Sequence, residues 1–365
     1  MKILQLTFSL TSGGGEKLAV DLANKLSEDH EVFFCVILSE KYKIHSFFKS
    51  QLSPKINYIN LDSLKGINIK LFISIYKLII KIKPDVVHFH LNTILYLYIP
   101  AFFFRSKINF IHTLHSVTSK TIGFKWQKSI NKYFYQNNLI KPVVISKNNL
   151  DTYIEFYNNN NNVTLIENGV AKPTKSKEFN KVQKEISKLK EKESEKILIH
   201  IGGYLEAKNQ RMLVKVLNRL INENRKVILI VIGKYFDSEE AKELIKNSNK
   251  RIFYLGTKSN VSDYLLNSDV FVLSSLWEGL PISLLEALSC GVVPVCTPAG
   301  GIPEVIKNKT IGFVSHDFSE EEYYKSLIKC LDNIDSFEKT TLINYFIGNF
   351  SIDTCANKYM KLYLN

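Results

Sequence analysis

Cysteine is scarce in this chain and poorly spaced for structural chemistry. Five occur in 365 residues: Cys35, Cys290, Cys296, Cys330 and Cys355. The number is odd, no two form a C-x-x-C pair, and Cys35 lies within the apolar run 32–38. This argues against a disulfide framework or a thiolate zinc site, and reduced core thiols fit a cytosolic protein. With 16 glycines and 9 prolines, collagen-like and low-complexity architectures are excluded. Long hydrophobic runs are missing too. The most apolar stretch, 91–104, is 14 residues and holds Asn92 and Pro100. A membrane-spanning helix needs roughly 20. The chain opens Met1-Lys2-Ile3-Leu4-Gln5 directly into a strand-like run, with no cleavable apolar leader behind it. The expectation is a cytoplasmic protein, soluble or peripheral at the inner face of the cell membrane. Acidic charge is also short, 35 Asp+Glu against 48 Lys+Arg, for a net +13.

What is present is a large apolar complement, 45% of residues, which rules out disorder. At roughly 150 residues per domain, the length suggests two domains. The charge is uneven: residues 1–172 hold 21 Lys+Arg and 11 Asp+Glu, and the remainder hold 27 and 24. Such basicity suits nucleic acid, an anionic membrane or a phosphorylated small substrate. No nucleic-acid module signature occurs, so no nucleic-acid partner is expected. Strand-like runs at 2–6, 31–38, 85–89, 109–113 and 142–145 alternate with segments of helical period. Residues 171–196 turn Lys/Glu/Ser-rich and read as a linker with a solvated helix. The alternation then restarts at 197–201, 227–232, 252–255, 270–273 and 292–296. The order implies α/β architecture with two doubly wound parallel sheets. The reading places domains at 1–172 and 173–345, with a helical segment 346–365 that could pack back on the first. The asparagine run 158–162 reads as a surface loop. Open α/β sheets bind ligands at the carboxyl ends of their strands, which places the expected active site in a cleft between the domains.

Three constellations could carry chemistry. Gly13, Gly14 and Gly15, before Glu16, join the first strand to the first helix, where free amides attract phosphate. It is not a G-x-G-x-x-G fingerprint; a dinucleotide-binding alternative would enlist Glu40 for the ribose. The second is His88, His90, His112 and His115 at strand ends. At least two read as satisfied structural histidines, no metal is expected, and His115, followed by Ser116, is the functional candidate. The third runs from Ser274 to Leu288: Glu278 in a loop and Glu286 on the following helix, with the Gly279 and Leu280 amides suited to hydroxyls or phosphate. Pro281 suits an early helical position. Gly300 and Gly301 repeat the glycine turn one unit later.

At this point the chain resembles the retaining family-4 glycosyltransferases, whose two Rossmann-like domains form the GT-B architecture. The resemblance is strongest in Leu255-Gly256, Ser268-Asp269-Val270, Glu278-Gly279-Leu280-Pro281 with Glu286-Ala287, and Gly300-Gly301-Ile302-Pro303-Glu304. It extends to Gly13-Gly14-Gly15-Glu16, Pro84-Asp85-Val86-Val87-His88, Thr113-Leu114-His115 and Lys208-Asn209. It implies an α/β fold with a first domain for the acceptor and a second for a nucleotide sugar, most often UDP-linked. Glu286 resembles the acid that holds the ribose. Glu278 with Gly279 and Leu280 resembles the donor-sugar contact. Lys208, with the amides of Gly13, Gly14 and Gly15, resembles the diphosphate site, and His115 matches the histidine near the anomeric carbon. Gly256 falls in the donor-binding part. The family commonly has Arg where this chain has Gly203, which leaves Lys208 the diphosphate charge unless Lys258 or Arg211 compensates. Configuration would be retained by same-face attack, with Glu278 as covalent nucleophile a minority alternative. Neither metal nor cofactor is implied, because the nucleotide sugar is a substrate. The acceptor would be a lipid-linked glycan or polysaccharide.

Two other enzyme classes fit less well: a sugar-nucleotide epimerase of similar fold, which lacks the Glu278–Glu286 context, and an NAD-dependent oxidoreductase. An anionic membrane surface is a separate candidate partner. Residues 68–83 carry Lys70, Lys77, Lys81 and Lys83 and read chiefly as a sheet-covering helix with a solvated lysine edge. Residues 120–141 interleave Lys120, Lys125, Lys128 and Lys132 with Phe124, Trp126, Tyr133, Phe134 and Tyr135, a composition suited to a bilayer interface.

Overall fold

The computed structural model describes residues 1–41, 45–64, 66 and 68–364, with the Lys120 side chain also outside the description. The chain divides into two compact units, Met1–Ala171 with Ile352–Asn365, and Lys172–Ser351.

In the first unit, β1 (Lys2–Thr7), β2 (Glu31–Leu38), β3 (Asn57–Ser63), β4 (Val86–His90), β5 (Asn109–Leu114), β6 (Lys141–Val144) and β7 (Thr164–Leu165) form one sheet. Its order is β3-β2-β1-β4-β5-β6-β7, and every pairing is parallel. Chain order reverses between β1 and β4, which makes the loops after those two strands the switch point where a ligand would sit. β4 is buried along its whole length, as expected of a central parallel strand covered on both faces. Helix Ile69–Ile82 turns Leu71, Ile75, Ile79 and Ile82 inward, a 3.6-residue stripe. Asn68 caps it by accepting from the Lys70 amide, and left-handed Lys83 ends it before Pro84. Helices Gln127–Gln136 and Lys147–Tyr157 add Tyr135, Tyr153 and Tyr157 to the same core. Helix Ile352–Leu364 packs on Gly14–Leu26.

In the second unit, β8 (Lys196–Ile201), β9 (Val227–Ile232), β10 (Ile252–Tyr254), β11 (Val270–Leu273), β12 (Val293–Cys296) and β13 (Phe313–Val314) form a parallel sheet of order β10-β9-β8-β11-β12-β13. Its switch point lies between β8 and β11. All five cysteines are free and buried.

Three expectations need correction. The chain leaves the second unit after Ser351, not at 345, because helix Lys339–Phe350 keeps Leu342, Phe346 and Phe350 in that unit's core. The segment taken for a linker belongs to the second unit, and its helix Phe179–Leu189 buries Val182 and Ile186. Two apolar residues one turn apart among lysines and glutamates suffice to dock it. β3, β7 and β13 were missed: β3 is an edge strand that alternates polar residues, and the other two are two residues long. The run 158–162 is the surface loop expected, with four asparagines exposed and Asn159 buried.

Candidate active site

The second unit's switch point is closed by an ion pair. Lys208 ends a single 3-10 turn after β8, and left-handed Asn209 starts the next helix. The Lys208 Nζ lies 2.5 Å from Glu278 Oε1, with 18% and 11% of the two side chains exposed. That Glu278 oxygen also accepts from Ser275 Oγ at 2.6 Å. The loops that carry the pair are sewn together. Ser274 Oγ donates to the Lys208 and Asn209 carbonyls at 2.9 and 3.1 Å. Leu276 N–H donates to Ala207 O at 2.8 Å, and Thr297 Oγ1 donates to Ser275 O at 2.5 Å. Sequence reading gave Lys208 and Glu278 separate tasks; the fold makes them partners.

The glycine turn after β12 completes this loop. Gly300 has φ of +55°, and a Cβ there would lie 2.0 Å from Glu278 O. The Gly301 N–H donates to Gly279 O at 2.8 Å. No other residue fits at position 300, on conformation and on space. Leu280 is buried. Pro281 is the N-cap, not a helical residue as expected, and Glu286 stands partly exposed within helix Ile282–Ser289. Gly256 is left-handed, φ +67°, and its carbonyl accepts the Gly233 N–H at 3.0 Å.

Arg211 is exposed and bonded to Tyr204, and Lys258 Nζ lies 5.8 Å from the Tyr264 ring centroid. The side chain against Gly203 is Lys234, whose Cγ would be 3.0 Å from a Cβ there. A lysine two residues past the neighbouring strand was the available sequence signal, and it was missed. His200 and Gln210 support the diglycine from below. Gln210 Nε2 donates to Gly203 O at 2.7 Å, and His200, which burial pushes down to about 4, bonds Val272 O through Nδ1 at 3.0 Å.

At the first unit's switch point, Gly13 caps helix Gly14–Leu26. Glu16, not an empty anion site, lies over that helix start: its Oε2 would be 2.3 Å from a Gly13 Cβ. Thr11 Oγ1 donates to Glu16 Oε1 at 2.7 Å. A Cβ on Gly15 would lie 3.1 Å from both His115 Cγ and Leu91 Cδ2. Gly15, in the helix after β1, and His115, just past the end of β5, are thus brought together.

The histidines form a chain, buried except for half-buried His115, whose proton positions follow from their partners. His90 Nε2 meets Gln5 Oε1, a pure acceptor, at 2.7 Å, so Nε2 carries the proton and Nδ1 accepts. His115 Nε2 lies 3.0 Å from that Nδ1, so it donates, and His115 Nδ1 keeps a free lone pair. His115 can therefore accept from a hydroxyl. His112 Nε2 donates to the carbonyl of left-handed Leu91 at 3.0 Å, and its Nδ1 accepts from Tyr135 at 2.7 Å. His88 bonds Tyr363 Oη and Thr113 Oγ1, both at 2.7 Å. Burial pushes His112 down to about 4 and His115 to about 3, with neighbouring His112 adding to the latter. Both are neutral rings at pH 7. Among the described residues, no three His, Cys, Asp or Glu side chains form a metal-binding group. Glu40, the ribose candidate of the dinucleotide alternative, is held by Lys49 at 2.6 Å and by Tyr58.

Comparison with known proteins decides the class. The family model for glycosyltransferase family 4 matches residues 12–172, and that for glycosyl transferases group 1 matches residues 181–341. The chain belongs to the group 1/family 4 glycosyltransferases. Among relatives of this glycosyltransferase, the Escherichia coli UDP-Gal:alpha-D-GlcNAc-diphosphoundecaprenol alpha-1,3-galactosyltransferase is 24% identical over 332 residues, covering 88% of this chain and 84% of the other. Among solved structures, a glycosyltransferase from Rickettsia africae superposes with a TM-score of 0.80 at 20% identity, covering 99% and 97% of the two chains. Anabaena Alr3699/HepE, solved with UDP and glucose, gives 0.79 at 17% identity and covers 99% of each. The fold is GT-B, two Rossmann-like α/β units.

Proposed function

We propose that this glycosyltransferase moves a hexosyl group from a UDP-sugar to a lipid-linked or polysaccharide acceptor, with retention of anomeric configuration. The observation that carries the reading is the Lys208–Glu278 pair fastened across the β8/β11 switch point. A departing nucleoside diphosphate needs fixed positive charge at its oxygens. When a donor diphosphate takes the Lys208 ammonium, Glu278 is released to accept from sugar hydroxyls. The Gly279 and Leu280 amides and Gly256 border the donor, and Glu286 takes the ribose. In the first unit the amides of Gly13, Gly14 and Gly15 serve the diphosphate once Glu16 swings aside. His115, with its free Nδ1, receives a sugar hydroxyl. Lysine and amide dipoles supply the charge, so the reading needs neither metal nor cofactor. The names of the E. coli relative and the Anabaena structure support the lipid-linked acceptor and the uridine base.

Two substitutions test the assignment. Glu286→Ala should raise the donor KM about tenfold with kcat little changed, and Glu278→Ala should lower kcat about a hundredfold. Turnover and hydrolysis of labelled UDP-sugar are the readouts. Near-wild-type values in both variants sink the assignment.

An anionic bilayer surface is the partner proposed for the first unit. Between Asp62 and Asp151 the only acidic residue is Asp85, against 13 lysines and arginines. Helix Ile69–Ile82 does not present a merely solvated edge. Ile69, Ile73 and Ile80 are exposed and fall within about 40° of one another at about 100° per residue. Exposed Lys70, Lys77 and Lys81 flank that stripe. The neighbouring helix Tyr98–Phe104, joined through Tyr76 and Phe104 with ring centroids 5.4 Å apart, adds Phe103, 66% exposed. A sheet-covering helix ordinarily turns charged residues outward; apolar side chains ringed by lysine suit an anionic interface. Vesicles with about one-third phosphatidylglycerol should bind at least about tenfold more protein than phosphatidylcholine vesicles, and Lys77→Glu with Lys81→Glu should remove the difference. Equal binding to both vesicles, or self-association in place of vesicle binding, rejects this partner. No helix among the described residues is long and apolar enough to cross a membrane.

A further inference from the structure

Two lysine stems lie against the diglycine that follows β8. A Cβ on Gly202 would be 3.4 Å from Lys208 Cδ and Cε, and one on Gly203 would be 3.0 Å from Lys234 Cγ. Lys234 is fastened there through its backbone. Its carbonyl accepts the Tyr204 N–H at 2.9 Å, and preceding Gly233 packs so closely that a Cβ would fall 2.0 Å from Gly202 O. The chain then turns at Tyr235 with φ of +69°, a costly conformation for an aromatic residue and one that persists only where its surroundings impose it. The two ammonium groups differ in their partners. Lys208 is neutralised by Glu278. Lys234, among the described residues, meets no carboxylate and lies 5.0 Å from the Tyr235 ring centroid.

We propose that Lys234 is a second cation for the diphosphate of the nucleotide-sugar donor, standing in for the side chain that Gly203 lacks. The inference rests on the donor-site reading above. A single lysine shared with a glutamate leaves a multiply charged diphosphate short of neutralisation. A second lysine on the adjacent strand end supplies a point charge without a rigid fork. The glycines let phosphate oxygens approach the backbone between the two stems.

The test is calorimetric titration with UDP and GDP, and with uridine and guanosine. It uses the wild type, Lys208→Ala, Lys234→Ala, and Lys234→Ala combined with Gly203→Arg. The preferred diphosphate should bind the wild type. Lys234→Ala should weaken it about 10- to 50-fold while shifting the nucleoside less than about twofold. Arginine at 203, entering the space that the Lys234 stem vacates, should restore most of the loss. If Lys208→Ala loses diphosphate and Lys234→Ala does not, the inference is overturned and the donor site stands. Equal losses of diphosphate and nucleoside in Lys234→Ala mark a structural role and also overturn it. If the wild type binds neither diphosphate, the donor reading falls first and takes the inference with it.

Discussion

Lys208→Ala should lower kcat/KM for the donor by about 10²- to 10³-fold, the cost of removing one preorganised charge donor from a developing anion. Steady-state kinetics with the cognate UDP-sugar reads this out. The fall should appear in kcat as well as KM, because the diphosphate gains charge as the glycosidic bond breaks. Lys208→Arg should recover part of the rate, since the charge returns while the guanidinium fork cannot repeat a 2.5 Å ammonium–carboxylate contact. Losing the lysine also strips Glu278 of its partner, leaving Ser275 Oγ on the same oxygen. A thermal melt alongside the kinetics separates the two effects. A folded Lys208→Ala protein with unchanged kcat/KM contradicts the charge role.

A chain ending at Ser351 should lose the native state of the first unit. Helix Ile352–Leu364 buries Ile352, Cys355, Ala356, Tyr359 and Tyr363. Each of the larger side chains contributes about 1.5–3 kcal/mol by burial. Its removal would also strip His88 of Tyr363 Oη and Thr113 of Tyr359 Oη, bonds of 2.7 and 2.8 Å. Each such bond contributes about 0.5–1.5 kcal/mol. Together the loss is on the order of 10 kcal/mol, comparable with the whole stability of a typical domain, about 5–15 kcal/mol. Thermal unfolding and limited proteolysis of the shortened chain should show the first unit cleaved while Lys172–Ser351 persists. Tyr363→Phe should cost little by comparison, because Gln5 Nε2 lies 3.4 Å from the same His88 nitrogen and can take up the bond. A shortened chain that melts like the full one refutes this account.

Much of this was legible from residue order. Parallel strands buried on both faces read as unbroken apolar runs, so β2, β9 and β11 were bounded as they stand in the structure. Helix Ile69–Ile82 was equally plain, with Pro84 as its stop. Edge and two-residue strands were not, because half-exposed pleats carry polar residues and short ladders carry no period. The candidate site was half legible. Glu278, Glu286 and the glycines stood out by local spacing. Lys234 did not, since what marks it is adjacency to Gly203 across two strands, 31 residues away in the chain.

By itself the sequence determined the α/β class, the two-domain organisation and the residues capable of donor chemistry. Each depends on local periodicity or on a motif within a few tens of residues. Only the tertiary structure decided that Lys208 and Glu278 neutralise each other, that Glu16 covers the first glycine loop, and that the last helix closes the first unit over His88. It also decided that Gln5, His90 and His115 line up in one hydrogen-bonded chain. The physical reason is common to all four. Hydrogen bonds and ion pairs between distant segments are set by how sheets and helices pack, and no local pattern of residues encodes that distance.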